Sequence, residues 1–134
     1  MSDYIWKKSD QSAAPDEAVM QFLAGEDILL DRELLTFDLE ASAAHADGLA
    51  GAGILETEEA KQLTSSLARY MREAERGERT LGTEFEDCHS AIEAWLIEEL
   101  GDLGKKIHTG RSRNDQVAVA LRLYIRDRLG RLAD

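Results

Sequence analysis

Between Thr57 and Gly77, apolar side chains return every three or four positions: Ala60, Leu63, Leu67, Tyr70 or Met71, and Ala74. With 3.6 residues per turn, that spacing lines them along one side of a helix. Thr57 before Glu58, Glu59 and Ala60 reads as an N-cap with acids in the first turn, where the positive end of the helix dipole favours them. Gly77 ends the run. The composition extends the same pattern to the whole chain. One Pro and ten Gly in 134 residues, 6% aromatics, and abundant Ala, Leu and Glu point to helices rather than a sheet.

The chain has the length of one ordinary domain and can bury a sizeable core. Residues 1–15 are polar, with Pro15 at their end, and Asp16 to Leu23 is expected to form a short helix before a break at 24–27. From Asp31 a long helix is predicted, carried by Leu34, Leu35, Leu39, Ala46 and Leu49 and stopped by the "GAG" at 51–53. The segment 79–84 reads as a loop. Residues 86–100 read as another amphipathic helix, with Cys88, Ile92, Trp95 and Leu96 on its apolar side, and Gly101 and Gly104 are expected to bracket a turn.

The last segment differs. From about Ser112 its apolar residues Val117, Val119, Leu121, Leu123, Tyr124, Ile125, Leu129 and Leu132 lie all around a helical wheel. A helix apolar on several faces belongs inside a bundle or an oligomer core. It also lacks the Gly or Pro expected past a helix end, so the sequence is expected to stop mid-helix, as the N-terminal piece of something longer. The expected organisation is an N-terminal helical domain over 1–111, leading at 112–134 into the first long helix of a central bundle.

Charge narrows the partners. The formal net charge is -11, yet residues 104–134 hold 8 Lys and Arg against 3 acids. An acidic chain disfavours nonspecific binding to nucleic acid or a membrane surface, which needs a broad positive field. A local basic segment suits a small anionic ligand better. One cysteine, Cys88, excludes an internal disulfide and fits a reducing compartment. With no apolar run near 18 residues and no signal-peptide pattern at the start, a cytoplasmic protein is expected.

Two groups of residues could carry chemistry. The first, Glu86-Asp87-Cys88-His89-Ser90, opens a helix, and acids and caps are common there without any function. His89 and Glu93 stand at i, i+4 and could simply pair. No second ligand pair stands at zinc spacing, so no metal site is expected. Nor do Cys88 and His89 suggest a nucleophile and its base, since adjacent helical side chains diverge. The second group is "HTGRSRND", His108 to Asp115. Gly110 lets the backbone turn, and Thr109, Ser112 and Asn114 offer neutral hydrogen-bond groups. Arg111 and Arg113 offer planar forks that fit carboxylates, and a helix starting here would add its free N–H groups. Such a site would bind a dicarboxylate. The residues alone are equally compatible with arginines that only pair with the chain's many acids.

Taken as a string, "HTGRSRNDQV" resembles the first signature region of the argininosuccinate lyase family, in the fumarase/aspartase superfamily. "EDCHSAIEAWL" looks like that family's second N-terminal motif, "LDRELLTFDLEASAAHADGLAGAGIL" like its first long helix, and Trp6 with the following loop like a loose version of its "WGGR" segment. The resemblance implies a carbon–nitrogen lyase. It would split argininosuccinate reversibly into arginine and fumarate, in a homotetramer whose sites are each shared between subunits. A proton next to a carboxylate is removed, the guanidinium nitrogen leaves, and fixed donors stabilise the carbanion between, each able to contribute on the order of 10²–10³ in rate. By the same resemblance, Ser112, Arg113 and Asn114 would hold the substrate's carboxylates and His89 would line the pocket. Arg111, Thr109, Asp115 and Asp87 would support them.

The resemblance implies no cofactor or metal, and it places the catalytic His and Ser in motifs that do not occur in this sequence, so the chain alone is expected to be inactive. Two departures stand out. Lys7-Lys8-Ser9-Asp10 replaces "GGRF", and Glu26-Asp27-Ile28 stands where many members have a substrate-contacting Ser. Asp27 there would meet the amino or guanidinium end of the substrate. The alternative is a non-enzymatic, crystallin-like or interaction relative built from the same helices.

Overall fold

The computed structural model describes residues 27–133, and these form helices with no strand among them. The short helix expected at 16–23 and the Trp6–Asp10 segment lie outside the described residues. Six helices follow in order: α1 Asp27–Asp31, α2 Leu35–Gly51, α3 Thr57–Glu75, α4 Cys88–Leu100, α5 Asp102–Lys105 and α6 Arg113–Ala133, with a 3₁₀ turn at Lys106–His108 between the last two. The all-α expectation holds for these residues.

Local chemistry moves three of the expected boundaries. The long helix does not run on from Asp31. The N–H groups of Glu33 and Leu34 turn back to the carbonyls of Leu30 and Asp31, at 3.0 and 2.9 Å, and α2 begins after this turn. Thr57 is the first residue of α3 and not its cap. Glu56 takes the cap position with an extended backbone, and the Glu59 carboxylate reaches back to accept its N–H at 3.1 Å. A Glu three residues into a helix satisfies a donor that the helix itself leaves free. Gly104 lies inside α5 rather than at the edge of a turn. A Cβ on it would come within 2.4 Å of the Leu96 carbonyl group, so only glycine lets α5 pack on α4.

α3 ends as expected. Gly77 takes the left-handed φ of 70° and closes the last turn through its N–H to Ala74 at 3.0 Å. The stripe of α3 faces α2 and α4, and Leu63, Leu67, Leu39, Leu81 and Leu96 meet in the core fully shielded from solvent. Each such leucine contributes about 1.5–3 kcal/mol relative to an exposed one.

α6 runs antiparallel to α2. Arg111, just before α6, reaches Ser42; Tyr124 meets Phe37 edge-on at 5.7 Å; and Arg128 pairs with Glu33 at 2.5 Å. Only Gln116 and Ala120 of α6 are buried, while Val117, Val119, Leu121, Ile125, Leu129 and Leu132 remain exposed. No helix of the described residues is long and apolar enough to cross a membrane.

Candidate functional site

The starts of α4 and α6 come together against one face of α2. At the first, Asp87 caps α4 by accepting the Ser90 N–H at 2.6 Å, while Asp31 accepts the Cys88 N–H at 3.0 Å. These acids settle the free donors of the first turn. His89 follows, 3% exposed, and its Nδ1 donates to Asp38 Oδ2 on α2 at 2.7 Å. The pairing of His89 with Glu93 that spacing allowed does not form.

The second start is capped by its own residues. The Ser112 hydroxyl and backbone N–H both donate to Asp115 Oδ2, at 3.0 and 2.7 Å, and the Ser112 oxygen accepts the Asp115 N–H at 3.3 Å. This reciprocal cap explains why an Asp stands three residues after the Ser. The bonds from Ser112 hold the Asp115 carboxyl below its ordinary pKa. Ser112 and Asn114 are exposed, and no hydrogen bond among the described residues uses the Asn114 side chain.

The two arginines divide. Arg111 turns inward and donates through Nη2 to Ser42 Oγ at 3.1 Å, while its buried Nε has no partner among the described residues. Burial pushes its pKa down, the charge of Asp38 opposes this, and Arg113 adds to the lowering. Arg113 is half-buried and held loosely. Its one short bond goes to Gln116 Oε1 at 3.1 Å; Ser90 Oγ lies at 3.5 Å, Glu93 Oε2 at 3.7 Å and Asp87 Oδ2 at 4.0 Å. Thr109 contributes its carbonyl, which accepts from His45 Nε2 at 2.9 Å. Burial lowers the His45 pKa and the charges of Arg111 and His108 act in the same direction, against the Thr109 bond.

Lys105 and Lys106, earlier in the basic segment, answer to acids. Lys105 pairs with Asp102 at 2.7 Å and Lys106 with Glu59 at 2.5 Å. Asp27 opens α1, exposed, and no hydrogen bond or ion pair among the described residues links it to His89 or to residues 109–115. Between α2 and the start of α6 lies a cleft of about 310 Å³, lined by His45, Arg111, Asp115 and Gln116 with Ala41, Ala44 and Val119.

Three contributors come from α2: Asp38, Ser42 and His45. They stand at i, i+4 and i+7, on one helical face, and that spacing was visible in the sequence. A polar stripe ordinarily marks the solvent side, so the signal points outward without the tertiary structure. Asp38 also forms a close group with Cys88 and His89, whose ligand atoms lie within 4.8 Å of one another. The arrangement is that of a hydrogen-bonded pair beside a thiol. A metal would need a thiolate, and burial, with Asp38 and Asp31 nearby, pushes the Cys88 thiol strongly up.

The Lyase family model matches residues 12–134. The chain belongs to the lyase family. Its similarity to named members is close: it is 48% identical over 133 residues to the argininosuccinate lyase of Xanthomonas euvesicatoria pv. vesicatoria and 49% identical over 133 residues to that of Stenotrophomonas maltophilia strain R551-3. Each alignment takes in 99% of this chain and 30% of the relative. As a lyase-family chain it therefore spans about 30% of the length of the curated relatives it matches, the N-terminal part. Its family resemblance and its all-α architecture agree.

Proposed function

We propose that this chain is the N-terminal part of an argininosuccinate lyase, a carbon–nitrogen lyase that reversibly eliminates fumarate from argininosuccinate to give arginine. Ser112, Arg113 and Asn114 receive the substrate's carboxylates and His89 lines the same pocket, with Arg111, Thr109, Asp115 and Asp87 holding these residues in place. The observation that carries this is the state of Arg113. A guanidinium with one short bond and three loose contacts keeps donors for a ligand, and exposed Ser112 and Asn114 flank it at a helix start. Asp27 has no partner there and serves the amino or guanidinium end only if a ligand or another subunit bridges to it.

In the proposed reaction a C–H proton leaves from the carbon next to a carboxylate, the C–N bond breaks with its electrons going to the guanidinium nitrogen, and the C=C of fumarate forms. The charge passes through a carbanion spread onto that carboxylate, and this is where the donors of residues 112–114 act. The general acid and base come from chain beyond residue 134. We further propose a cytoplasmic homotetramer in which the domain of residues 1–111 gives one wall of each site and residues 112–134 enter a shared bundle.

Fumarate absorbance tests the proposal. The chain alone should give no turnover, whereas a chimera in which it replaces the N-terminal 30% of the Xanthomonas enzyme should cleave argininosuccinate. Steady turnover by the chain alone, or a folded but inactive chimera, would count against it.

A further inference from the structure

The buried polar side chains among the described residues are few: Asp38, Ser42, Ser66, His89 and Gln116. Three of these five meet at one place. Asp38, with no exposed surface, accepts from His89 Nδ1 at 2.7 Å through Oδ2. Ser42, one turn further along α2, receives Arg111, and both Asp38 Oδ1 and Arg111 Nε remain without hydrogen bonds. Packing alone does not call for such a group. A buried ionic cluster is often no more stabilising than apolar residues of the same volume, and each unpartnered atom adds a desolvation cost.

An imidazole carries its proton on either nitrogen, and the partner of one nitrogen decides the state of the other. An ionised carboxylate can only accept, so an Asp38 carboxylate requires Nδ1 to be the donor. On a neutral ring the lone pair then falls on Nε2, which has no hydrogen-bond partner among the described residues. Neighbouring Cys88 Sγ, 3.8 Å from Nδ1, is too distant and too weak an acceptor to take that proton from the carboxylate.

We propose that Asp38 is a positioning residue: it locks the ring plane and tautomer of His89, so that Nε2 is the nitrogen left to meet the substrate proposed above. The inference rests on the proposed function in taking His89 as a pocket residue. Asp38 touches no ligand itself. Its effect passes through His89, and through Ser42 the same face of α2 also sets Arg111.

Two measurements test this, and they separate it from the wider reading. In the 134-residue chain, ¹⁵N NMR of the histidine ring nitrogens should show His89 protonated at Nδ1 and bare at Nε2. A His89 protonated at Nε2 alone would overturn the proposal, whatever the enzyme does. In the chimera, Asp38→Asn keeps the shape but also offers an amide donor to Nδ1, which favours the other tautomer. It should lower kcat/KM about tenfold or more with a nearly unchanged melting temperature. Unchanged kcat/KM per folded enzyme, with or without a lower melting temperature, would make Asp38 merely structural. Should the unsubstituted chimera show no turnover, the wider reading fails and the ligand-facing role of Nε2 with it, while the tautomer in the chain still tells whether Asp38 orients the His89 ring.

Discussion

Gly104 and Gly48 are both helical glycines, yet their surroundings give them opposite mutational signs. At Gly104 a methyl group would meet the Leu96 carbonyl at 2.4 Å, and backbone cannot rotate away as a side chain can. Gly104→Ala should push α5 off α4 and cost about 1–3 kcal/mol, visible as a lower urea midpoint. At Gly48 nothing lies within 4 Å, so Gly48→Ala should stabilise α2 by about 0.5–1 kcal/mol. Equal effects at the two positions would contradict the close approach of α4 and α5. Arg113 poses the functional question at the same scale. Lys keeps the charge but loses the planar fork, so in the chimera Arg113→Lys should reduce turnover about tenfold, or about 1.4 kcal/mol of transition-state stabilisation, with little change in melting. If Arg113 only answers Asp87 and Glu93, kinetics should hold and melting should fall.

At the level of elements, α3 and α4 are joined by a polar seam as well as by leucines. Tyr70 donates to Glu99 at 2.5 Å, Ser66 at 2.8 Å, and Arg69 also binds that carboxylate. Arg79 stacks over Tyr70 and Trp95, 4.2 and 4.6 Å from the ring centres. Burial alone would raise the Glu99 pKa, but the bonds from Tyr70, Arg69 and Ser66 outweigh it and hold the group below its ordinary value. A depressed carboxylate stabilises the fold fully above its unfolded pKa, roughly 4.3, and that contribution fades as pH falls through the folded value. The melting temperature should therefore drop below about pH 4, and Glu99→Gln should flatten that part of the profile. An identical acid slope in Glu99→Gln would remove the seam from the account.

For the whole molecule, the decisive feature is α6, packed on α2 along one side and exposing apolar residues on the others. Leu129 is 60% and Leu132 82% exposed, and covering a leucine is worth about 1.5–3 kcal/mol. Contiguous apolar surface of this kind drives association. Light scattering across a concentration series should show particles larger than one chain. Replacing Ile125 and Leu129 with Lys should return the scattering to monomer size without lowering the melting temperature. A monodisperse monomer from the unsubstituted chain would sink the idea that α6 needs a partner.

Helical period is a local property, and so the sequence by itself determined the long helices α2, α3, α4 and α6, while the short α5 lay where a turn was read and α1 where no helix was. Leu63, Leu67 and Tyr70 on α3, and Ile92 and Leu96 on α4, could be assigned inward because three- and four-residue spacing needs no knowledge of neighbours. The run from His108 to Asp115 likewise carried the family resemblance. The cap of α3 was equally local, since Glu56 and Glu59 stand three apart, but a Thr beside them obscured it. What only the tertiary structure decided is who meets whom. Asp38 finds His89 across 51 positions and Ser42 finds Arg111 across 69. Those distances in sequence are bridged by the way α2, α4 and α6 pack, and rotating α2 by half a turn would leave every period intact while turning Asp38 to solvent. The inward side of a polar stripe is therefore fixed by the packing of the other helices, and so is the difference between Arg111, turned inward onto Ser42, and Arg113, half-buried beside Ser90 and Gln116.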